Sequence, residues 1–377
     1  MRRYLPALRR CLPIIITALI LLLTIATCDR RSEEEPQPEP EPSVVIEPST
    51  IPEPTPEEPE QEPEPEPAPY DGPENPLTGL PVETDISKNR PYAIMIGNSS
   101  DAQPQLGVSG ADIIYEVPAE GNITRMMAVF QDVKDAGVIG SIRSSRPYYV
   151  DLAQGHDAIY IFAGGSNDAY QTLSSRNITR LDGVNGRLTD IYYRDSSRRR
   201  SLGYTHSLVT SGDLITRWLP TYNFRLEHSE DYESPLQFTD NGAPENGLPA
   251  LDFSVKFLGS KTTSFTYDAD DGKYYLRQHG SKYLDGSDGS QLAVTNVLIL
   301  QTAVSQIRGD TEGRLTVTLT GGRGYFVCGG QYIDIKWSKD SVSAPLVYTL
   351  EDGSELYFGR GNTYVCVVPA GTAVEIK

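Results

Sequence analysis

The chain has 377 residues, with 33 Lys or Arg against 51 Asp or Glu and a formal net charge of −18. Most of that charge sits in one Pro/Glu-rich segment, and the longest basic run is Arg198-Arg199-Arg200, which reads as a solvated loop. Neither a nucleic-acid footprint nor a basic membrane-binding face is therefore expected, and four histidines without a Cys/His spacing of the zinc type call for no metal site and no cofactor.

Residues 1–28 have the layout of a signal peptide: Arg2, Arg3, Arg9 and Arg10, an apolar run from Leu12 to Ile25, then Ile25-Ala26-Thr27-Cys28. The run is short of the roughly 20 residues that cross a bilayer comfortably, and Pro13 breaks its start. A cysteine after a small and an aliphatic residue is the pattern of a bacterial lipobox, which makes Cys28 the expected lipidation site. Thr27 departs from the usual Gly or Ala, and a plain or uncleaved signal peptide is the competing reading. Residues 29–70 follow as a stalk, mostly Glu and Pro from Glu33 to Pro69, too polar to build a core. Fixed proline φ angles and like-charge repulsion extend it to on the order of 100 Å.

From Asn75 the texture changes to short apolar runs between Gly, Asn, Asp and Ser. The expected fold class is α+β: an N-terminal mixed α/β domain over 71–216, a connector over 217–250 and a smaller, mainly antiparallel β domain over 251–377. In the first domain, Tyr92 to Ile96, Ile113 to Val117, Met126 to Phe130 and Ala158 to Phe162 suit buried strands, with Glu120-Gly121-Asn122 as a turn. One helix is expected to start with Ser145 as cap and Pro147 in its first turn, and to end at Gly155. A second is expected to start at Ser166 and run through Leu173. In the last domain, strands are expected at Leu315 to Thr320, Tyr325 to Cys328, Tyr332 to Trp337, Leu346 to Leu350, Glu355 to Phe358 and Thr363 to Val368. Cys11 lies in the signal peptide, leaving Cys328 and Cys366 as either a disulfide or two buried thiols.

The strand-to-helix turns carry the sharpest chemical signal. Helix N-termini favour anions, Arg143 and Arg146 flank one turn, and Arg125 lies on a neighbouring strand. If the two turns are adjacent they form a cationic, Gly-lined pocket for a carboxylate, phosphate or sugar acid. The competing reading pairs these arginines with Glu116, Glu120, Asp151 or Asp157 in structural networks. Ser166 after two glycines could be a nucleophile, although the sequence is not G-x-S-x-G and an N-cap explains it better. His156 and His206 are candidate bases, with Asp157 beside the first. Glu116 and Glu120 could form an acid pair for glycoside hydrolysis. Asp268 to Gly272 and Asp285 to Gly289 are better read as exposed hairpin turns than as calcium loops.

These stretches also form a pattern. Asn75 to Pro81, Arg90 to Ile96, Ala111 to Glu116, Thr124-Arg125, Ile139 to Arg146, Gly164-Gly165-Ser166, Thr205-His206-Ser207, Asn296-Val297 and Gly361-Asn362-Thr363 together resemble the YerB family of bacterial lipoproteins. The resemblance implies an exported lipoprotein with two adjoining domains and brings no activity with it. Where many members have Asn after the histidine matching His206, this chain has Ser207, and Tyr283 replaces a histidine. The ligand-binding candidates that match are Glu116, Arg125, Arg143, Arg146, Ser166 and His206.

The sequence thus leads to the expectation of a protein on the outer face of the cytoplasmic membrane, held by its lipid. It would bind an anionic cell-wall glycan or another envelope protein rather than act as an enzyme. The alternative is a wall-polymer hydrolase using His206 with Glu116, Asp157 or Ser166.

Overall fold

The structure is a computed structural model that describes residues 72–185 and 190–376. The signal peptide, Cys11, Cys28 and the Pro/Glu stalk lie outside the described residues. The described residues form one compact unit.

Its centre is a mixed sheet drawn from both ends of the sequence. The first half supplies β1 (Tyr92–Gly97), β2 (Ile113–Pro118), β3 (Thr124–Phe130), β4 (Ile159–Phe162) and β5 (Arg180–Asp182). The second half supplies β6 (Asn296–Thr302), β7 (Gly321–Cys328), β8 (Gln331–Ser338) and β9 (Thr363–Pro369). Across the sheet these lie in the order β8-β7-β6-β9-β2-β3-β1-β4-β5, with Leu248–Pro249 and Val347–Leu350 both paired to β8. The halves meet where β9 runs parallel to β2, with Ile113 opposite Thr363 and Glu116 opposite Cys366. β1, β4 and β5 are parallel, whereas β3 runs antiparallel between β1 and β2.

Both faces of the sheet are covered, which is why its strands read as continuous apolar runs. In β1, Ala93 and Met95 point to one face and Ile94 and Ile96 to the other. The first face packs against α1 (Pro147–Gly155) through Tyr148, Tyr149 and Leu152, and against Leu173 of α2 (Asn167–Ser175). The second face is covered by a separate antiparallel sheet with strands Asp252–Lys256, Thr262–Asp268 and Lys273–Gln278, whose Phe253, Phe265 and Leu276 join Ile94, Ile114 and Ile161 in one core.

Three local expectations are corrected. Ser145 does not cap α1: the N-cap position is Arg146, which makes no side-chain cap bond, while Pro147 fills N1 as its fixed φ favours. Asp285 is buried, not an exposed turn residue. It accepts from the backbone of Gly107 (3.0 Å), Ser109 (2.9 Å) and Ser287 (2.8 Å), clipping the second half to the 107–109 loop. Arg198 is likewise buried; its guanidinium donates to the carbonyls of Ala102, Pro104 and His206. Of the open alternatives, Cys328 and Cys366 are two free, buried thiols.

Glu116 is fully buried between the halves. Asn98 Nδ2 (2.9 Å) and Thr124 Oγ1 (2.6 Å) donate to its Oε1 from the first half. Thr263 Oγ1 (2.7 Å), Gln278 Nε2 (3.2 Å) and Tyr364 OH (2.7 Å) donate to Oε2 from the second, and Lys261 Nζ lies 3.2 Å from Oε1. A carboxylate can be buried only when its lone pairs are taken and its charge is matched, and both conditions hold here. Replacing Glu116 with Gln turns a donor toward other donors and strands Lys261, so Glu116→Gln is expected to destabilise the fold by about 3 kcal/mol in denaturant unfolding. A loss below about 1 kcal/mol would show that the hub contributes little.

Candidate functional site

The residues between Ser141 and Arg146 thread between the carboxyl ends of β1 and β4. Gly97 N donates to Ser141 O and Arg143 N to Met95 O, while Ala163 N donates to Arg143 O and Ser145 N to Gly164 O, each within 3.0 Å. The turn into α1 therefore lies beside the turn into α2, with Ser145 bridged to Gly165. Gly164 sits at φ +77°, a left-handed backbone that suits glycine. Ser166 accepts from Ala169 N at 3.2 Å and is the N-cap of α2. The site thus occupies the crevice beyond the carboxyl ends of parallel strands, the usual place for ligands in sheets of this kind.

Arg125 on β3, Arg143 and Arg146 converge there. Arg125 and Arg146 share the carboxylate of Glu120, which lies in the turn between β2 and β3. Arg146 Nε is 3.1 Å and its Nη2 2.5 Å from the two oxygens, and Arg125 Nη2 is also paired to Oε1. Burial opposes ionisation of Glu120, but the two guanidiniums hold its carboxyl below the usual range. Arg143 forms no ion pair among the described residues; its Nη1 donates to Thr205 O at 3.1 Å. Burial, then the charge of Arg125, pushes its pKa down to about 10 against the opposing pull of Glu120. Two cations thus share one anion, and a third stands beside them without one of its own.

His206 stands beside this cluster in a short 3₁₀ turn, Tyr204–His206. Each carbonyl of the turn accepts from a different arginine: Tyr204 O from Arg194 (2.6 Å), Thr205 O from Arg143 (3.1 Å) and His206 O from Arg198 (3.0 Å). Burial and the Arg143 charge lower the His206 pKa, which favours the neutral imidazole. Buried Ser207 donates its hydroxyl to Tyr204 O at 2.9 Å, and Tyr283 is buried in the core.

The arginines, Ser166 and His206 therefore surround adjoining turns, whereas Glu116 is not part of this cleft, because its oxygens are occupied in the buried hub. Ser166 and Arg146 also line a pocket of about 210 Å³ walled by Leu315, Thr316 and Val317 of the second half. Asp157 and His156 follow the opposite end of α1, about 13 Å away by helix rise. Asp157 binds Arg90, Arg225 and His228, and His156 Nε2 is 2.8 Å from Tyr115 OH. A larger hollow, about 860 Å³, opens beside Asp157. Its arginines are already matched, Arg90 and Arg225 by Asp157 and Arg176 by Asp151, so it offers less free positive charge than the smaller cleft. Sequence reasoning missed Tyr204, Arg194 and Arg198 as parts of the site, since nothing in their spacing tells which carbonyls an arginine will reach.

Two family models match the chain: the N-terminal domain of a protein of unknown function (DUF3048) over residues 77–225, and the C-terminal domain of the same family over 253–365. YerB of Bacillus subtilis (strain 168), whose name describes it as a lipoprotein, is 30% identical over 307 residues, covering 80% of this chain and 88% of that one. The crystal structure of YerB from Bacillus subtilis superimposes with a TM-score of 0.69 at 28% identity, covering 81% of this chain and 99% of that one.

Burial lowers the pKa of His156 from 6.5 to about 4. The unfolded chain therefore binds a proton there that the folded chain refuses, and stability falls as pH drops from 6.5 toward 4. Asp112, raised by burial from 3.8 to about 6, pulls the other way between those values. The difference between wild-type and His156→Gln stability curves isolates the histidine. The wild type is expected to lose on the order of 3 kcal/mol more on acidification, and parallel curves from pH 7 to pH 4 would contradict this.

Proposed function

The chain belongs to the DUF3048 family, and from that premise we propose that it is an envelope lipoprotein whose arginine cleft binds an anionic cell-wall ligand. The carrying observation is that Arg125 and Arg146 share the single carboxylate of Glu120, while Arg143 beside them has no ion pair among the described residues. Holding three cations together costs free energy that a bound anion would recover, and guanidiniums offer the paired donors that carboxylates and phosphates accept. In this reading Cys28 carries the lipid on the outer face of the cytoplasmic membrane, and the Pro/Glu stalk sets the cleft away from the bilayer. The name of the YerB relative supports the lipid anchor. Among the described residues no helix is long and apolar enough to cross a membrane.

A wall-polymer hydrolase centred on His206 has less support. Glu116 is enclosed in the hub, Asp157 lies at the other end of α1, and Ser166 already caps α2.

The test is titration of the full chain with soluble peptidoglycan and teichoic-acid fragments. Binding is expected to weaken with rising salt, as charge pairing requires. The Arg143→Ala, Arg146→Ala double variant should bind at least tenfold more weakly, about 1.4 kcal/mol, while its circular dichroism stays that of the wild type. Equal affinity in a folded double variant would overturn the assignment.

A further inference from the structure

Tyr204 is one residue from the carbonyl that holds Arg143, and its side chain is 61% exposed. A large, exposed aromatic group is ordinarily free to move, yet this one is fixed. The Arg194 guanidinium lies 3.7 Å from its ring centroid, with Arg199 at 5.5 Å. The backbone beneath is held through the three arginine-bound carbonyls of residues 204–206 and by Ser207, which donates to Tyr204 O. Fixing an exposed ring before any ligand arrives reduces the ordering cost of binding.

A second observation comes from groups left without partners. Among the described residues, three buried side-chain nitrogen or oxygen atoms have no hydrogen-bond partner: Arg125 Nε, His206 Nδ1 and Gln131 Oε1. Two of the three belong to this cleft. Arg125 is only 4% exposed, so water does not readily supply what its Nε lacks. An imidazole nitrogen can donate or accept according to tautomer, and a hydroxyl group can satisfy it in either state. A simple anion answers the guanidiniums but has no ring face to lay on Tyr204.

We infer that Tyr204 is a stacking platform at the rim of the arginine cleft, and that the ligand is an acidic sugar: a pyranose with its C–H face on Tyr204, its acid group on Arg143, and a hydroxyl on His206. The inference rests on the anion-binding reading above and names the class of ligand within it. The electron-rich face of a tyrosine ring attracts the polarised C–H groups on one side of a pyranose, as it attracts cations and aromatic edges. This contact is sterically selective, because it needs a ring rather than a chain.

The experiment is calorimetric titration of the full chain and of Tyr204→Ala, Tyr204→Trp and Arg143→Ala variants. The probes are N-acetylmuramic acid, N-acetylglucosamine 6-phosphate, neutral N-acetylglucosamine, lactate and inorganic phosphate. An acidic sugar should bind at least tenfold more tightly than the neutral sugar, lactate or phosphate, and whether the carboxylate or phosphate sugar leads identifies the acid group. Tyr204→Ala should weaken acidic-sugar binding about tenfold with lactate and phosphate unchanged, and Tyr204→Trp, which keeps an aromatic face, should restore it. If lactate or phosphate binds as well as either acidic sugar, or if Tyr204→Ala matches the wild type, the platform is overturned while the anion site stands. If no acidic probe binds, or if Arg143→Ala changes none of the affinities, both readings fall.

Discussion

One buried carboxylate decides how the two halves of this protein meet. Glu116 lies on the strand that joins them and takes donors from both sides: Asn98 and Thr124 from the first half, Thr263, Gln278 and Tyr364 from the second. Apolar packing alone would tolerate small slips between β2 and β9. A charge without solvent does not, because each lost hydrogen bond leaves a buried ionic lone pair unsatisfied. The register of the central strand pair is thereby tied to side chains far apart in sequence. Everything on the first half's side of that pair, including the strand ends that form the cleft, inherits its placement.

The cleft itself is built by arginines used in two ways. Arg194 and Arg198 act as struts, each with hydrogen bonds to backbone carbonyls, and they hold the turn that carries His206. Arg125 and Arg146 balance one another across Glu120. Arg143 does something of each, bracing Thr205 O while leaving its charge without an acidic partner among the described residues. The division follows from geometry: a planar guanidinium can fill several directed hydrogen bonds at once, and what it does with its charge depends on whether an acid is within reach.

Much of the scaffold was legible because its physics is local. Continuous apolar runs such as Tyr92 to Ile96 implied strands covered on both faces, and the Gly-Gly-Ser turn implied the cap of α2 at Ser166, as observed. The side-by-side turns were anticipated conditionally, and the Ser145–Gly165 bridge supplies the condition. Other features depend on distant partners that a linear pattern does not encode. Glu116 looked like a candidate ligand residue because its six hub neighbours are scattered from Asn98 to Tyr364. Asp285 and Arg198 looked solvated because Asp-Gly and Arg-rich segments usually are, yet each is buried against the 102–109 region. Ser145 was one residue early as a helix cap, since the local pattern does not distinguish a capping side chain from one that receives the Tyr160 hydroxyl, as Ser145 does.

The parallel pairing of β9 with β2 has a consequence for how the protein comes into being. β9 occupies the middle of the sheet, yet its partner there, β2, lies far from it in the sequence. Until β9 is delivered, β2 presents an open edge in the centre of the molecule and Glu116 lacks the Tyr364 hydroxyl. Closing contacts over so long a separation is slow, because chain entropy must be spent before the contacts repay it. The core is therefore closed only when β9 reaches β2. That long-range pairing makes β9 the keystone of the finished sheet.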